Sequence, residues 1–332
     1  MPLGIKSNFT IAQVYDGIRS GDRSILAKAI TLTESTLEKD RIQSNELLKK
    51  LLPHTGHSLR IAITGVPGAG KSTFIESFGD LLTNQGKNVA VLAIDPSSQK
   101  TKGSILGDKT RMEQLSRNPN VFIRPSPSSQ ALGGVSFYTR ETILLCEAAG
   151  FDIILIETVG VGQSETYVRS MVDFFLLLIL AGAGDELQGI KKGIMEMADA
   201  VVINKSDGEN IKASAQAKAD VKNALHLQEA SLSGWTPVVV NISALEKKGL
   251  AEVWGLIKDY EIFTKGNKYF SINREQQKKQ WLEESLENQF RQLQRGNSIA
   301  SKKEELLKLV MDNMLLPNEA AKKFWEDILQ NK

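Results

Sequence analysis

From Thr10 the apolar positions Ile11, Val14, Tyr15 and Ile18 recur at helical spacing, and Gly21 breaks the run. Asp22 can cap a second helix with Ile25, Leu26, Ala29, Ile30 and Thr33 as its buried stripe. A third helix is expected from about Leu37 to Leu51, stopping before Pro53. From Leu59 the period changes. Short aliphatic or β-branched runs alternate with helical stretches: RIAIT at 60–64, NVAVLAI at 88–94, VFIRP at 121–125, FDIILI at 151–156, FFLLLIL at 174–180, AVVI at 200–203 and PVVVN at 237–241. Strands that are apolar on both faces and separated by helices predict a mostly parallel sheet covered on both sides, an α/β fold. Ligands of such sheets bind beyond the carboxyl ends of the strands, so the residues after each strand carry the functional information. After Tyr260 the chain returns to charged helical sequence. Trp281, Leu282, Leu286, Phe290 and Leu293 form an apolar stripe there, and further helices are expected near 300–315 and 318–330.

The 332 residues include 41 Lys plus Arg against 39 Asp plus Glu, with 41% hydrophobic and 24% charged positions. These values exclude a disordered chain, a fibre and a strongly basic nucleic-acid coat. Lys191-Lys192 and Lys302-Lys303 sit among acids and make no nucleic-acid footprint. The longest apolar run, Phe174 to Ala183, is far short of the ~20 residues that span a bilayer. Neither a nucleic acid nor a membrane is therefore an expected partner. The one cysteine, Cys146, sits in LLCEAAG and reads as a buried thiol, and MPLGIKSNFT has no secretory or transit character, so a cytoplasmic location is expected. His54 and His57 are spaced H-x-x-H, but Pro53 and Gly56 interrupt any helix face that would aim them at one ion. His226 stands alone in a helical stretch.

The first strand leads into Gly65-Val66-Pro67-Gly68-Ala69-Gly70-Lys71-Ser72-Thr73, a full match to G-x-x-x-x-G-K-[ST]. Glycines let successive backbone N–H groups turn inward around an anion, and the next helix adds the positive end of its dipole. Lys71 is expected to reach the β and γ phosphates and Ser72 to ligate Mg²⁺. The fourth strand ends in Glu157-Thr158-Val159-Gly160. A carboxylate at that strand tip suits a role in holding Mg²⁺, and Gly160 can present its N–H to the γ phosphate.

The sixth strand is followed by Asn204-Lys205-Ser206-Asp207. Guanine offers N1–H and its exocyclic amino group as adjacent donors, and the Asp207 carboxylate can accept both. Adenine would leave that carboxylate unpaired, and a hydrogen-bonding site of this kind rejects the wrong ligand by roughly 10⁴-fold. Asn204 is expected to address the other edge of the base and Lys205 its face, with Ser243-Ala244-Leu245 closing the pocket after the seventh strand. The ligands expected are GTP and GDP.

Between these motifs lie Asp95-Pro96-Ser97-Ser98 and G-S-I-L-G-D-K-T-R-M at 103–112, with Asp95 at a strand end and Asp108 opening a helix. Together with S-P-S-S-x-x-L-G-G at 126–134, E-T-V-G-V-G-Q-S-E at 157–165 and G-A-G-D-E-L-Q-G-I-K-K-G at 182–193, they make the chain resemble the MeaB-type GTPases. These are the G proteins associated with methylmalonyl-CoA mutase, also known as ArgK-like or methylmalonic aciduria type A proteins. The resemblance spans nearly the whole chain. It implies a SIMIBI-class P-loop G domain at 58–265, an N-terminal helical extension at 1–57 and a C-terminal helical arm at 266–332 that forms a homodimer. It also implies slow GTP hydrolysis used as a checkpoint on an adenosylcobalamin-dependent acyl-CoA mutase, gating cofactor delivery from an adenosyltransferase and protecting or reactivating the mutase.

By the same resemblance Lys71, Ser72, Asp95, Asp108 and Glu157 form the phosphate and Mg²⁺ site. Gly182, Gly184, Asp185, Glu186, Gln188, Lys191 and Lys192 belong to a third switch that senses the partner. The chain departs from the family pattern at Ala181, where Pro is usual, and at Ser206, where Ala is usual. No D-x-H-x-x-G element is present, so the cobalamin is expected to belong to the partner. Val161 follows Gly160 where small signalling GTPases carry a water-orienting glutamine, which predicts slow intrinsic hydrolysis. Gln163 and Asp95 are candidates to order the water, and Lys191, Lys192 or Arg111 to supply charge after a partner rearranges the switches. Two alternatives stand beside this reading. A transport-associated P-loop kinase or ATPase has no need of N-K-S-D, and a metal-delivery GTPase needs more ligands than one cysteine and three histidines.

Overall fold

The computed structural model describes residues 10–35, 37–94, 112–125, 138–158, 164–181, 192–226, 231–294 and 297–330. Among them seven strands form one sheet: β1 (Leu59–Gly65), β2 (Val89–Ile94), β3 (Val121–Pro125), β4 (Ile153–Thr158), β5 (Phe174–Leu180), β6 (Ala200–Asn204) and β7 (Val238–Asn241). Their order is β3-β2-β4-β1-β5-β6-β7, and every adjacent pair is parallel. The expected α/β fold with a parallel sheet is therefore present. β4 begins later than its apolar run, at Ile153, because the amide of Asp152 closes onto the carbonyl of Asn88. It runs on through Glu157 and Thr158, which stay in register with Ala93 and Ile94 of β2.

Alternation along the strands divides the core in two. On one face Ala62, Ile154, Ile156, Phe175 and Val201 pack with Ile18, Leu26, Ile30, Leu47 and Leu51. These last residues come from α1 (Ile11–Arg19), α2 (Arg23–Thr33) and α3 (Glu38–Leu51). The stripe read from residues 11–51 is thus one cover of the sheet. Thr10 and Gln13 close a capping box on α1, and the Asp22 carboxylate accepts from the amides of Ser24 and Ile25 to start α2. α3 ends at Leu51 and passes into a 3₁₀ turn, Leu52–His54, where Pro53 needs no amide hydrogen. On the other face Ile61, Ile63, Leu155, Phe174 and Val202 pack with residues of α4 (Lys71–Asn84) and of the helix Leu250–Gly266.

The remaining helices are α5 (Glu113–Ser116), α6 (Thr139–Ala148), α7 (Ser164–Arg169), α8 (Lys192–Glu196), α9 (Ile211–His226), α10 (Leu250–Gly266), α11 (Tyr269–Gln294), α12 (Asn297–Met311) and α13 (Pro317–Gln330). α6 packs on α2 and α3. Cys146 of α6 is buried and burial pushes its thiol up, as an inert core group. No helix of the described residues is long and apolar enough to cross a membrane.

The chain divides into two compact units, with the boundary between Asn273 and Arg274. In the second unit Leu306, Ala320 and Phe324 make a small core between α12 and α13, and the Phe290 ring meets Trp325 edge-on. α12 stops at Met311, short of the expected 315, because Asn313 adopts a left-handed conformation (φ 56°) that ends the helix. Of the stripe on α11, Leu282, Leu286 and Phe290 are 61%, 46% and 50% exposed, while Trp281 is half-buried.

Candidate functional site

β1 is central, flanked by β4 and β5, so the segments leaving β1, β4, β6 and β7 gather at one edge of the sheet. The glycine-rich loop leaves β1 there and runs into α4, whose N-cap is Gly70 in a left-handed conformation. Two of its glycines are required by neighbours as well as by backbone. A Cβ on Gly65 would stand 2.2 Å from the carbonyl oxygen of Leu178 on β5, and one on Gly70 would stand 2.6 Å from Nδ2 of Asn204. Gly68 turns the loop with a positive φ, and Ala69 is buried beneath it. Thr73 lies exposed in the first turn of α4.

The Lys71 ammonium folds back across this loop, donating to the carbonyls of Gly65 at 2.7 Å and Val66 at 3.2 Å. Burial lowers its pKa, and the carboxylates of Glu157 and then Glu165 act against that shift. The Ser72 hydroxyl donates to Oε1 of Glu157 at 3.2 Å, uniting residues predicted to share Mg²⁺. Glu157 reaches this position because its register partner on β1 is Ile63, two residues before the loop. Next to it, the Thr158 hydroxyl donates to Oγ1 of Thr64 at 2.8 Å and fastens the ends of β4 and β1 together.

The base side is built by β6 and β7. Asn204 is buried and faces inward: Nδ2 donates to the carbonyl of Ala69 at 2.9 Å, and Oδ1 accepts from the amide of Ala244 at 3.0 Å. The side chain expected to address the base thus ties the glycine loop to the 243–245 loop. Lys205 turns through a left-handed conformation and is exposed, and the Ser206 amide donates to the carbonyl of Ile242 at 2.9 Å. The Ser243 hydroxyl donates to Oδ2 of Asp207, orienting the carboxylate. Ser77 of α4 donates to the carbonyl of Ala244 at 2.8 Å, and Leu245 is 80% exposed beside it.

Asp95, Asp108, Gly160, Gln163, Gly182, Gly184, Asp185, Glu186, Gln188 and Lys191 lie outside the described residues, as does Arg111. Lys192 opens α8. One buried group escaped the sequence reading. Glu165, at the start of α7, is completely buried and acts electrostatically on Lys71, whereas its place at the end of E-T-V-G-V-G-Q-S-E carries no signal of burial. His54 has a structural role: its Nε2 is 2.9 Å from the Tyr15 hydroxyl.

A parallel sheet with a glycine-rich loop between β1 and α4 and an N-K-x-D loop after β6 defines a P-loop nucleotide-binding fold. Residues 26–298 match the family described as "Methylmalonyl Co-A mutase-associated GTPase MeaB". The chain belongs to this family and is a GTPase. It is 50% identical over 280 residues to GTPase ArgK of Escherichia coli (strain K12), covering 84% of this chain and 85% of the relative. It is 44% identical over 330 residues to the mitochondrial methylmalonic aciduria type A homolog of Mus musculus, covering 96% of this chain and 80% of the relative. A crystal structure of a LAO/AO transport system kinase superposes with a TM-score of 0.77 at 39% identity, covering 98% of this chain and all of that one.

Proposed function

We propose that the protein is a G-protein chaperone of an adenosylcobalamin-dependent acyl-CoA mutase, with methylmalonyl-CoA mutase as the expected partner. In this reading it works in the cytoplasm, gates cofactor delivery from an adenosyltransferase, and protects or reactivates the mutase. The observation that carries the nucleotide half is the Asn204 bridge, which joins the glycine loop preceding Lys71 to the 243–245 loop whose Ser243 donates to Asp207. The family description supports the partner half by naming methylmalonyl-CoA mutase.

The chain's own groups divide the work. Asp207, held by Ser243, accepts the two guanine donors, while Lys205, Ala244 and Leu245 border the base. The N–H groups of Gly68, Ala69, Gly70, Lys71, Ser72 and Thr73 bind phosphate oxygens, and Lys71 turns from the Gly65 and Val66 carbonyls to the β and γ phosphates. Ser72 and Glu157 present hard oxygen atoms next to one another, which suits Mg²⁺, with Asp95 and Asp108 completing the set. When bound, that ion supplies charge neutralisation at the phosphates. Gly160 would donate to the γ phosphate, and Gln163 or Asp95 would order the attacking water. Without a glutamine after Gly160 the intrinsic rate is slow, and the 182–192 segment responds to the partner.

The domain assignment belongs to the same proposal: a helical extension at 1–57, the GTPase domain at 58–265 and a dimerisation arm at 266–332. The exposed apolar stripe of Leu282, Leu286 and Phe290 supports a homodimer seam on that arm.

Co-purification of the full chain with a cobalamin-dependent mutase, followed by GTP-dependent reactivation of that mutase, tests the partner. Failure to bind any such mutase would remove the chaperone reading. The name of the LAO/AO transport system kinase raises a second reading, transfer of the γ phosphate to a protein or small molecule. Binding of ATP as tight as GTP, with phosphate recovered on an acceptor instead of in solution, would favour it.

A further inference from the structure

We propose that Ser77 is a positioning residue for guanine recognition, acting from the phosphate-binding helix through the backbone of the 243–245 loop. This rests on the reading of that loop as the segment that closes over the base. Ser77 lies in the second turn of α4, and the same helix buries Phe74, Ile75, Phe78 and Leu82. A buried hydroxyl in such apolar company needs a partner. Serine inside a helix ordinarily bonds back to the preceding turn of its own helix. Here the hydroxyl instead donates to the carbonyl oxygen of Ala244 at 2.8 Å, across 167 residues of sequence. The Ala244 amide is held separately, donating to Oδ1 of Asn204 at 3.0 Å. Both polar groups of Ala244 are thus fixed by side chains, one from the phosphate helix and one from the base motif.

The loop is closed on itself as well. Ser243 and Lys248 exchange backbone hydrogen bonds of 3.1 and 3.0 Å, and the Ser243 hydroxyl accepts from the Glu246 amide at 3.1 Å. One turn further along α4, Asp80 accepts from Lys247 Nζ at 2.7 Å, but both side chains of that pair are exposed and it adds little. Ser77 is therefore the buried hold of α4 on the loop. The peptide that it grips is trans and planar, so the Leu245 N–H points opposite to the Ala244 carbonyl, away from Ser77. Such a donor suits O6 of guanine, which lies beside the N1–H that Asp207 accepts, whereas adenine carries an amino group at that position. Without the Ser77 hydroxyl the peptide can turn and the donor loses its aim. Asp207, held by Ser243, keeps its own.

The test uses the full chain and dissociation constants for GDP, 6-thio-GDP and inosine diphosphate. The first analogue replaces O6 by sulfur, a weak acceptor, and the second keeps O6 but lacks the amino group read by Asp207. The unmodified protein should bind 6-thio-GDP about ten-fold more weakly than GDP. Ser77→Ala should lower that preference by roughly three-fold or more, while the preference for GDP over inosine diphosphate stays within about two-fold. Ser77→Thr keeps the hydroxyl, and Asp80→Ala removes only the exposed pair, so both should stay within about two-fold of the unmodified protein. An unchanged 6-thio preference in Ser77→Ala would overturn the proposal, as would a fall in both preferences together, which marks general loosening. An equal fall in Ser77→Thr or Asp80→Ala would overturn it too, and so would an unmodified protein that binds GDP and 6-thio-GDP alike. If Ser77→Ala does not fold, Ser77→Cys decides, since a thiol is a weak donor of similar size: an intermediate fall supports the proposal and an unchanged preference overturns it. Absence of guanine-nucleotide binding by the unmodified protein would instead sink the function assigned above.

Discussion

Nδ2 of Asn204 donates to the carbonyl oxygen of Ala69 at 2.9 Å, across 135 residues of sequence. Because Oδ1 of the same side chain accepts from the Ala244 amide, three loops meet on one buried amide. Replacing Asn204 by Ala leaves a carbonyl and an amide hydrogen without these partners in a dry place, which should cost about 2–4 kcal/mol of folding stability. Denaturant unfolding of the nucleotide-free protein measures this. GDP affinity should fall at least about ten-fold as the loops separate. Stability equal to that of the unmodified protein would show that the amide is dispensable.

Asp207 should set the base preference by chemistry alone. Asp207→Asn exchanges a carboxylate for a group with one donor and one acceptor, which matches the N1–H and C2 carbonyl of xanthine. GTP affinity should drop by about 10²–10⁴-fold while xanthosine triphosphate gains affinity. Competition of the two nucleotides against a fluorescent GDP reads both effects. A variant that keeps its GTP preference places the base elsewhere.

The buried ion pair of Arg169 and Asp199 should be costly to break. Asp199 also accepts from the Phe175 amide at 2.8 Å, so Arg169→Met strands a carboxylate that is committed to the strand edge. The expected loss is about 3–5 kcal/mol in urea unfolding. A loss below about 1 kcal/mol would place the pair among surface bridges of little consequence.

The N-terminal helices should dock with a pH dependence. Burial pushes the Glu141 carboxyl of α6 up to about 7, with Arg41 of α3 acting in the opposite direction. This lies above its ordinary value of 4.5, so between the two values the folded protein binds the proton more tightly than the unfolded chain. Stability therefore falls as pH rises from about 4.5 to about 7, by roughly 1–3 kcal/mol. Glu141→Gln removes the titration, so its melting temperature should change less across that window and exceed the unmodified protein's at pH ~8. Parallel curves for the two proteins would assign the pH dependence to another group.

Much of the fold was legible because its signals are local. Apolar runs located all seven strands to within two residues at most ends, and Asp22 and Gly21 marked the start of α2. The ends that moved did so for reasons of conformation or pairing: Asn313 enters the left-handed region, and Thr158 remains paired with Ile94. The glycine loop and N-K-S-D were visible as strings, and the structure adds why Gly65 and Gly70 have no room for a side chain.

The sequence by itself determined the kind of element at each stretch, the phosphate loop and the base loop, because periodicity and motif act over a few residues. Tertiary structure decided the strand order, which places β1 between β4 and β5, and so brings Ser72 within 3.2 Å of Glu157. It also decided that Asn204 clamps loops and that Glu165 is buried. Those outcomes depend on which distant groups share a water-free space, and hydrogen bonding and burial there are properties of the packed chain that no local pattern encodes.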